Sequence, residues 1–261
     1  MSQIPLISVV IPTYNHARLL RKALESVCCQ TFRNWEAIVV NNYSEDDTEA
    51  VVASFADPRI SLENFRNNGV IAASRNLGIR QARGKYVAFL DSDDSWHPEK
   101  LERVKTMLDQ DCDLVCHGEI WMSNGVELRR VCYGPATKSD YRSLLFERNC
   151  ISTSAAAVKK DCLTMVGGFS EEPEFVMVED YDLWLKLARA GCRFSFIDDM
   201  LGVFNLHEAN SSRAVYRQMR SELALLNKHF SEIGEWTLGD RLRRLRRIGR
   251  VYLAYGARGL R

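Results

Sequence analysis

The sequence predicts an α/β protein with a Rossmann-like, mostly parallel central sheet flanked by helices. Three observations carry this. Short apolar runs and amphipathic stretches alternate three times within the first ninety residues. The runs end in polar residues at loops long enough for crossover connections. The run Tyr86 to Leu90 is aromatic-rich and β-prone, and it stops abruptly at Asp91, Asp93 and Asp94.

Leu6 to Ile11 forms the first strand, ended by Pro12-Thr13-Tyr14-Asn15. Leu20, Ala23, Leu24, Val27 and Cys28 then share one helical face, with Asn15 as the expected N-cap. Trp35 to Val40 is the second strand, closed by Asn41-Asn42-Tyr43-Ser44. Ser44 with Asp47 three residues on reads as a capping signal for a helix through Phe55. Arg59 to Phe65 is a weaker strand, 66–69 a turn, and 70–82 a helix that Gly84 separates from the strand at Tyr86. Pro98 is expected in the first turn of a helix over 98–110.

The second half, from 98, changes character. Asp113 to Cys116 leads into a hairpin with Asn124-Gly125 at its turn. A short helix over 140–148, a strand from Thr153 to Val158 and a Gly167-Gly168 turn follow. Leu183, Trp184, Leu187 and Ala188 form a buried helical face, which puts Glu179 and Asp180 at that helix's N-terminus. Two strands, Phe194 to Ile197 and Leu201 to Leu206, precede His207 and a long helix from Arg213 to Phe230.

A chain of 261 residues can bury a substantial core. A net charge near +1 gives no overall nucleic-acid signature, although arginines crowd the last stretch. No apolar run approaches the roughly 20 residues of a membrane helix. The N-terminus enters a strand pattern at once, so a cytoplasmic location is expected. The eight cysteines are scattered, with no CxxC pair, and read as reduced thiols rather than disulfides or a zinc site.

Ligands of open α/β sheets bind outside the carboxyl ends of the strands. Here those ends carry Thr13-Tyr14-Asn15, Asn41-Asn42 and the three aspartates. From these residues alone the aspartates read equally as a metal–phosphate site or as a solvated acidic turn. Tyr14 reads as a stacking ring or an ordinary half-buried aromatic, and the asparagines as base-edge partners or turn formers. No GxGxxG follows the first strand and no GxxxxGK[ST] occurs, so neither the dinucleotide fold nor the P-loop fits.

In order along the chain come Val9 to Asn15, Gln30-Thr-Phe, Ile38 to Ser44, Asn68 to Asn76, Gly84 to Asp94, Gly167-Gly-Phe, Glu179 to Trp184 and His207. This ordered set resembles the family 2 glycosyltransferases, inverting enzymes with the GT-A fold. The resemblance covers Ser8 to about Ser212. It implies a glycosyltransferase domain over 1–212, with a nucleotide-binding half (1–97) and an acceptor-binding half (98–212). A C-terminal helical extension over 213–261 completes the chain.

The resemblance also implies roles. Thr13 and Tyr14 would hold the nucleobase, with Pro12 and Arg75 also in the nucleotide-sugar site; a helix-face salt bridge is the other reading of Arg75. The motif usually written Asp-Asp-Gly-Ser is Asn41-Asn42-Tyr43-Ser44 here, so Asn42 stands where an acid accepts from uracil N3–H. A UDP-sugar donor is expected, with other bases left open. Asp91, with Ser92, would lie toward the ribose, and Asp93 and His207 would hold Mg2+ or Mn2+. Asp180 would be the general base, with Glu179 its neighbour; both acids also suit a helix N-terminus electrostatically. Gly167 and Gly168 would let backbone approach the sugar or acceptor, and Trp121, Tyr133 and Phe175 would shape the acceptor cleft. A glycan or lipid-linked glycan would be the acceptor, in polysaccharide or glycoconjugate synthesis.

In the tail, Leu242, Leu245, Ile248 and Tyr252 share a helical face crowded by Arg241, Arg243, Arg244, Arg247 and Arg250. This basic amphipathic segment, 237–261, suits the anionic inner face of the cell membrane. A helix packed on the catalytic domain, or an oligomer contact, is the alternative. Two other functions compete: a degenerate member that binds nucleotide or glycan without turnover, for which Asn42 speaks, and a sugar nucleotidyltransferase. The latter should show a glycine-rich basic loop after the first strand, and Pro12 to His16 is not one.

Overall fold

The computed structural model describes residues 4–206 and 215–259. Its centre is a nine-stranded sheet in the order β3-β2-β1-β4-β8-β6-β9-β5, with β7 hydrogen-bonded to β6. The first half is parallel: β1 (Ile7–Thr13) lies between β2 (Trp35–Asn41) and β4 (Tyr86–Phe89), with β3 (Ile60–Asn64) outside β2. Crossover helices α1 (Ala17–Cys28), α2 (Thr48–Ser54) and α3 (Ile71–Gln81) connect these strands. β8 (Ala156–Lys159) then enters antiparallel between β4 and β6 (Leu114–Ser123), so the sheet as a whole is mixed.

Buried strands covered on both faces alternate between two cores. Val10, Ile38, Val87 and Phe89 point to the core shared with α3 and the later helices. Val9, Ile11, Val39, Tyr86 and Ala88 point to the core of α1 and α4 (Lys100–Leu108). The helices of the expected extension, α8 (Val215–Ser231) and α9 (Leu238–Gly259), contribute Leu225, Leu226, Phe230, Val251 and Tyr255 to the first core. They are an extension in sequence but part of the domain in packing. At Gly84 a Cβ would come within 2.7 Å of the Ser8 nitrogen, so the tight entry into β4 requires glycine.

Several local expectations need correction. Asn15 does not cap α1. It adopts φ +52°, and its side chain accepts from the Glu45 amide at 2.8 Å, while Asp46 accepts from the Ala17 amide. Ser44 does not cap α2; it donates to Asn41 at 2.6 Å. Asn15 and Ser44 instead tie two distant loops together, since Ser44 Oγ also accepts from the Asn15 amide. The helix after Pro98 begins only at Lys100: β5 (Ser95–Trp96) pairs with β9, and 98–99 form a turn before the helix. The two strands expected over 194–206 are one strand, β9 (Phe194–Leu206), whose register against β6 shifts beside Gly118. The hairpin stands: β7 (Val126–Val131) follows Asn124 and Gly125, both at positive φ.

Candidate active site

The parallel pairing brings the carboxyl ends of β1, β2 and β4 to one edge of the sheet. There the loops after β1 and β2 are stitched together. The Asn42 amide donates to the Thr13 carbonyl at 3.0 Å, and the Asn15 amide to Ser44 Oγ at 2.8 Å. Pro12 and Thr13 are buried in β1, while Tyr14 is half exposed at the rim. Tyr43 occupies a left-handed position at φ +52°, where the motif usually carries glycine.

The two asparagines after β2 separate into two roles. Asn41 is fully buried, donates to Asn64 Oδ1 at 2.8 Å and accepts from Ser44. Asn42 accepts from the Asn67 amide at 2.9 Å through its side-chain oxygen. That bond uses the amide oxygen, so the NH2 remains as a donor group.

Arg75 of α3 is the centre of the site. Its guanidinium is buried and donates to Asp91 and to Glu179, each at 2.7 Å. Arg75 thus forms salt bridges across three elements and not along a helix face. Opposing carboxylates on both sides hold Arg75 protonated against the cost of its burial. Glu179 opens α7 (Glu179–Arg189), so the same arginine ties that helix to the strand end of β4. Asp180, the next residue, is half-buried and accepts from Thr153 Oγ1 at 3.1 Å. Burial and the neighbouring Glu179 charge push its carboxyl up to about 6.

The three aspartates do not play one part. Asp94 is buried and accepts from Ser154 Oγ at 2.6 Å and from the Asn205 amide at 3.0 Å. Burial, then the charges of Asp93, Glu119 and Asp91, hold its carboxyl well above the usual carboxylate range. Ser154 also accepts from the Asp91 amide, and its carbonyl accepts from the Trp96 indole. Ser92 is buried with its hydroxyl 2.9 Å from His16 Nδ1. Ser154 and Asn205 were not legible as site residues, since each lies within an expected strand and carries no site motif.

The donor set suits a hard dication. Three aspartates crowd the strand end, where burial, then the charges of Asp93, Glu119 and Asp91, raise the Asp94 carboxyl, and hard carboxylate oxygens suit such an ion. Among the described residues no three His, Cys, Asp or Glu side chains stand ready to hold an ion unaided. Such an arrangement fits a cation bound by one or two carboxylates together with substrate phosphates. His207 lies outside the described residues.

In the second half of the chain, Glu119 of β6 is buried, and its carboxylate accepts from Tyr133 at 2.6 Å. Burial pushes that carboxyl up to about 7. Trp121 packs on Phe204 with ring centroids 4.8 Å apart. Phe175, expected at the cleft, is instead fully buried in the core. Gly168 lies close against a side chain: at φ +70°, a Cβ there would stand 2.5 Å from Asn76 Oδ1. Asn76 holds that turn by donating to the Phe169 carbonyl and accepting from the Phe169 amide. All eight cysteines are free thiols.

A model described as "Glycosyl transferase family 2" matches residues 8–163, and one described as "Glycosyl transferase family group 2" matches 86–253. The chain is 30% identical over 224 residues to the uncharacterized glycosyltransferase RP339 of Rickettsia prowazekii, covering 82% of this chain and 68% of that protein. It is 33% identical to the UDP-Glc:alpha-D-GlcNAc-diphosphoundecaprenol beta-1,3-glucosyltransferase WfgD of Escherichia coli, covering 70% of each. Among solved structures it resembles S. aureus TarS in complex with UDP, at a TM-score of 0.66 and 22% identity over 84% of this chain and 64% of that one. It also resembles the Pyrobaculum calidifontis mannosyltransferase PcManGT in complex with GDP-Man and Mn2+, at a TM-score of 0.70 and 21% identity over 98% and 72% of the two chains.

Proposed function

Because the chain belongs to glycosyltransferase family 2, we propose that it transfers a hexosyl or N-acetylhexosaminyl group from a nucleotide sugar to an acceptor hydroxyl with inversion. The observation that carries this reading is the Arg75 clamp. It holds the start of α7, and so Asp180, against the strand end that bears Asp91 and Asp93. A single displacement needs a base across the anomeric carbon from the leaving nucleotide. Asp180 takes the acceptor hydroxyl's proton as the acceptor oxygen bonds to the anomeric carbon. The bond from that carbon to the diphosphate breaks, and the nucleoside diphosphate leaves. Burial keeps the Asp180 carboxyl basic enough for this role near neutral pH.

Thr13, Tyr14 and Asn42 are assigned to the base, Asp91 to the ribose, and Pro12 and Ser92 to shaping the pocket around them. Asp93, with His207, would hold Mg2+ or Mn2+, whose charge would offset that developing on the diphosphate. A UDP-sugar is the first donor to test, in line with the UDP held by TarS. GDP-sugars come next, because PcManGT holds GDP-Man. The acceptor is read as a glycan on a lipid carrier, as the name of WfgD describes for that enzyme, in polysaccharide synthesis. It would be met at an anionic membrane surface through α9. No helix among the described residues is long and apolar enough to cross a membrane.

A donor panel of UDP-, GDP- and dTDP-sugars, incubated with Mg2+ or Mn2+, tests the reading. Asp93→Ala should lose metal-dependent nucleotide binding. Asp180→Asn should bind donor and fail to transfer. Transfer at the parental rate by Asp180→Asn would remove the base assignment, and tight nucleotide binding without any turnover by the parent would favour a degenerate member.

A further inference from the structure

Helix α9 is amphipathic on two sides at once. Asp240, Arg247, Val251 and Tyr255 are buried against the domain, and Arg247 pairs with Glu222 of α8. On the opposite side Leu238, Leu242, Leu245, Tyr252 and Leu253 stand 49% to 76% exposed. At about 100° per residue these five fall within a single arc of roughly 100°. The apolar stripe expected from the sequence is therefore shifted. Ile248 packs against the core, and among the described residues the outward leucines join neither core cluster.

Arginines rim this stripe. Between α9 and α5 (Tyr141–Phe146) runs a groove of about 900 Å³ lined by Arg142, Arg243, Arg246 and Arg250, with Phe146 and Leu253 as its apolar walls. The acids beside it are already engaged: Asp140 caps α5, and Glu147 pairs with Lys138. Arg142 pairs with Asp240, and Arg250 donates to the Phe146 carbonyl at 2.6 Å. Arg243 and Arg246 are exposed, and no ion pair among the described residues engages them.

We infer that this face is a bilayer-docking surface, with the leucine stripe entering the headgroup boundary of an anionic membrane and a lipid phosphate seated between Arg243 and Arg246. This rests on the membrane-surface reading of α9 and adds its contact face and its headgroup site. Charge complementarity decides the occupant. From 238 to 256 the helix carries six arginines against one acid, Asp240, which is itself paired. A second copy docked on the stripe would set arginine rim against arginine rim. A helix with a strong apolar face and an arginine-rich polar face lies in the interface plane, where each basic residue strengthens binding to anionic lipid.

Flotation of the full chain tests this, using vesicles of phosphatidylcholine alone and of phosphatidylcholine mixed with phosphatidylglycerol. The parent should float with the mixed vesicles only, and added salt should release it. Arg243→Ala with Arg246→Ala should weaken that binding roughly tenfold to thirtyfold. Leu242→Ser with Leu245→Ser should abolish it. Donor hydrolysis in vesicle-free buffer, expected at parental level in both variants, shows that each is folded and tests the transferase reading separately. Failure of the parent to float overturns the membrane reading itself. Unchanged flotation of the arginine variant overturns the headgroup site alone. A vesicle-free dimer that the leucine variant dissolves would assign the face to a second copy instead.

Discussion

Arg75 of α3 and Glu179 of α7 form a buried ion pair at 2.7 Å across 104 residues of sequence. The second arm of the same guanidinium reaches Asp91, so removing it strands the buried Glu179 carboxylate and leaves the partly exposed Asp91 without its partner. Arg75→Ala should therefore cost about 3–5 kcal/mol of stability. Arg75→Lys should recover only part of this, because a single ammonium cannot reproduce the two-armed geometry. Urea unfolding of both variants measures it, and a midpoint for Arg75→Ala equal to the parent's would show that the pair is not structural.

The pH dependence of transfer should follow Asp180. Its carboxyl is raised to about 6 by burial and by Glu179, so as the proposed base it is protonated and idle below that pH. The expected kcat/KM rises with pH to a plateau above about 6. The sign for stability runs the other way. A carboxyl with a raised folded-state pKa favours folding while protonated, and that contribution is lost as pH climbs through about 6. Asp180→Asn should therefore lose transfer by about 10²- to 10⁴-fold, yet gain stability relative to the parent between pH 4 and 7. A variant less stable than the parent at neutral pH would contradict this.

The parts of this molecule that were legible in the sequence are those set by local periodicity. The apolar runs at 6–11, 35–40 and 86–90 became adjacent parallel strands, and that adjacency is what gathers Thr13, Asn42 and Asp91 at one edge. The illegible parts depend on partners far along the chain. Asn15 and Ser44 have the residue type and spacing of helix caps, but each finds a better partner in the other's loop, 29 or 30 residues away. Ser154 unites Asp91, Asp94 and Trp96 from a position that no site motif marks. Phe175 has the character of a cleft aromatic and is buried because the short turn around it packs against α8.

The turn at Gly168 should tolerate no side chain. Its φ is +70°, and a Cβ would stand 2.5 Å from Asn76 Oδ1, which is itself fixed by the Phe169 amide. Gly168→Ala should lower stability by more than about 1 kcal/mol, because both the backbone region and the space are wrong. Gly167→Ala meets the same backbone penalty at φ +76° but open space. It should be the milder change in a thermal melt, and the reverse order would refute the packing argument.

Asn42 should set how well the site holds uracil. Its amide oxygen already accepts from the Asn67 backbone at 2.9 Å, so only a second lone pair remains for a base N–H, while the NH2 group presents donors. A carboxylate there could accept from Asn67 and from the base at once, with the added strength of a charged acceptor. Asn42→Asp should thus tighten UDP binding about fivefold to tenfold, corresponding to about 1 kcal/mol for a charge-assisted bond. Binding of GDP should change less, since guanine presents a different edge. Titration calorimetry of both nucleotides with parent and variant decides it. If Asn42→Asp weakened UDP binding, the Asn42 side chain would not face the base, and the assignment of the loop after β2 to the nucleobase would fall with it.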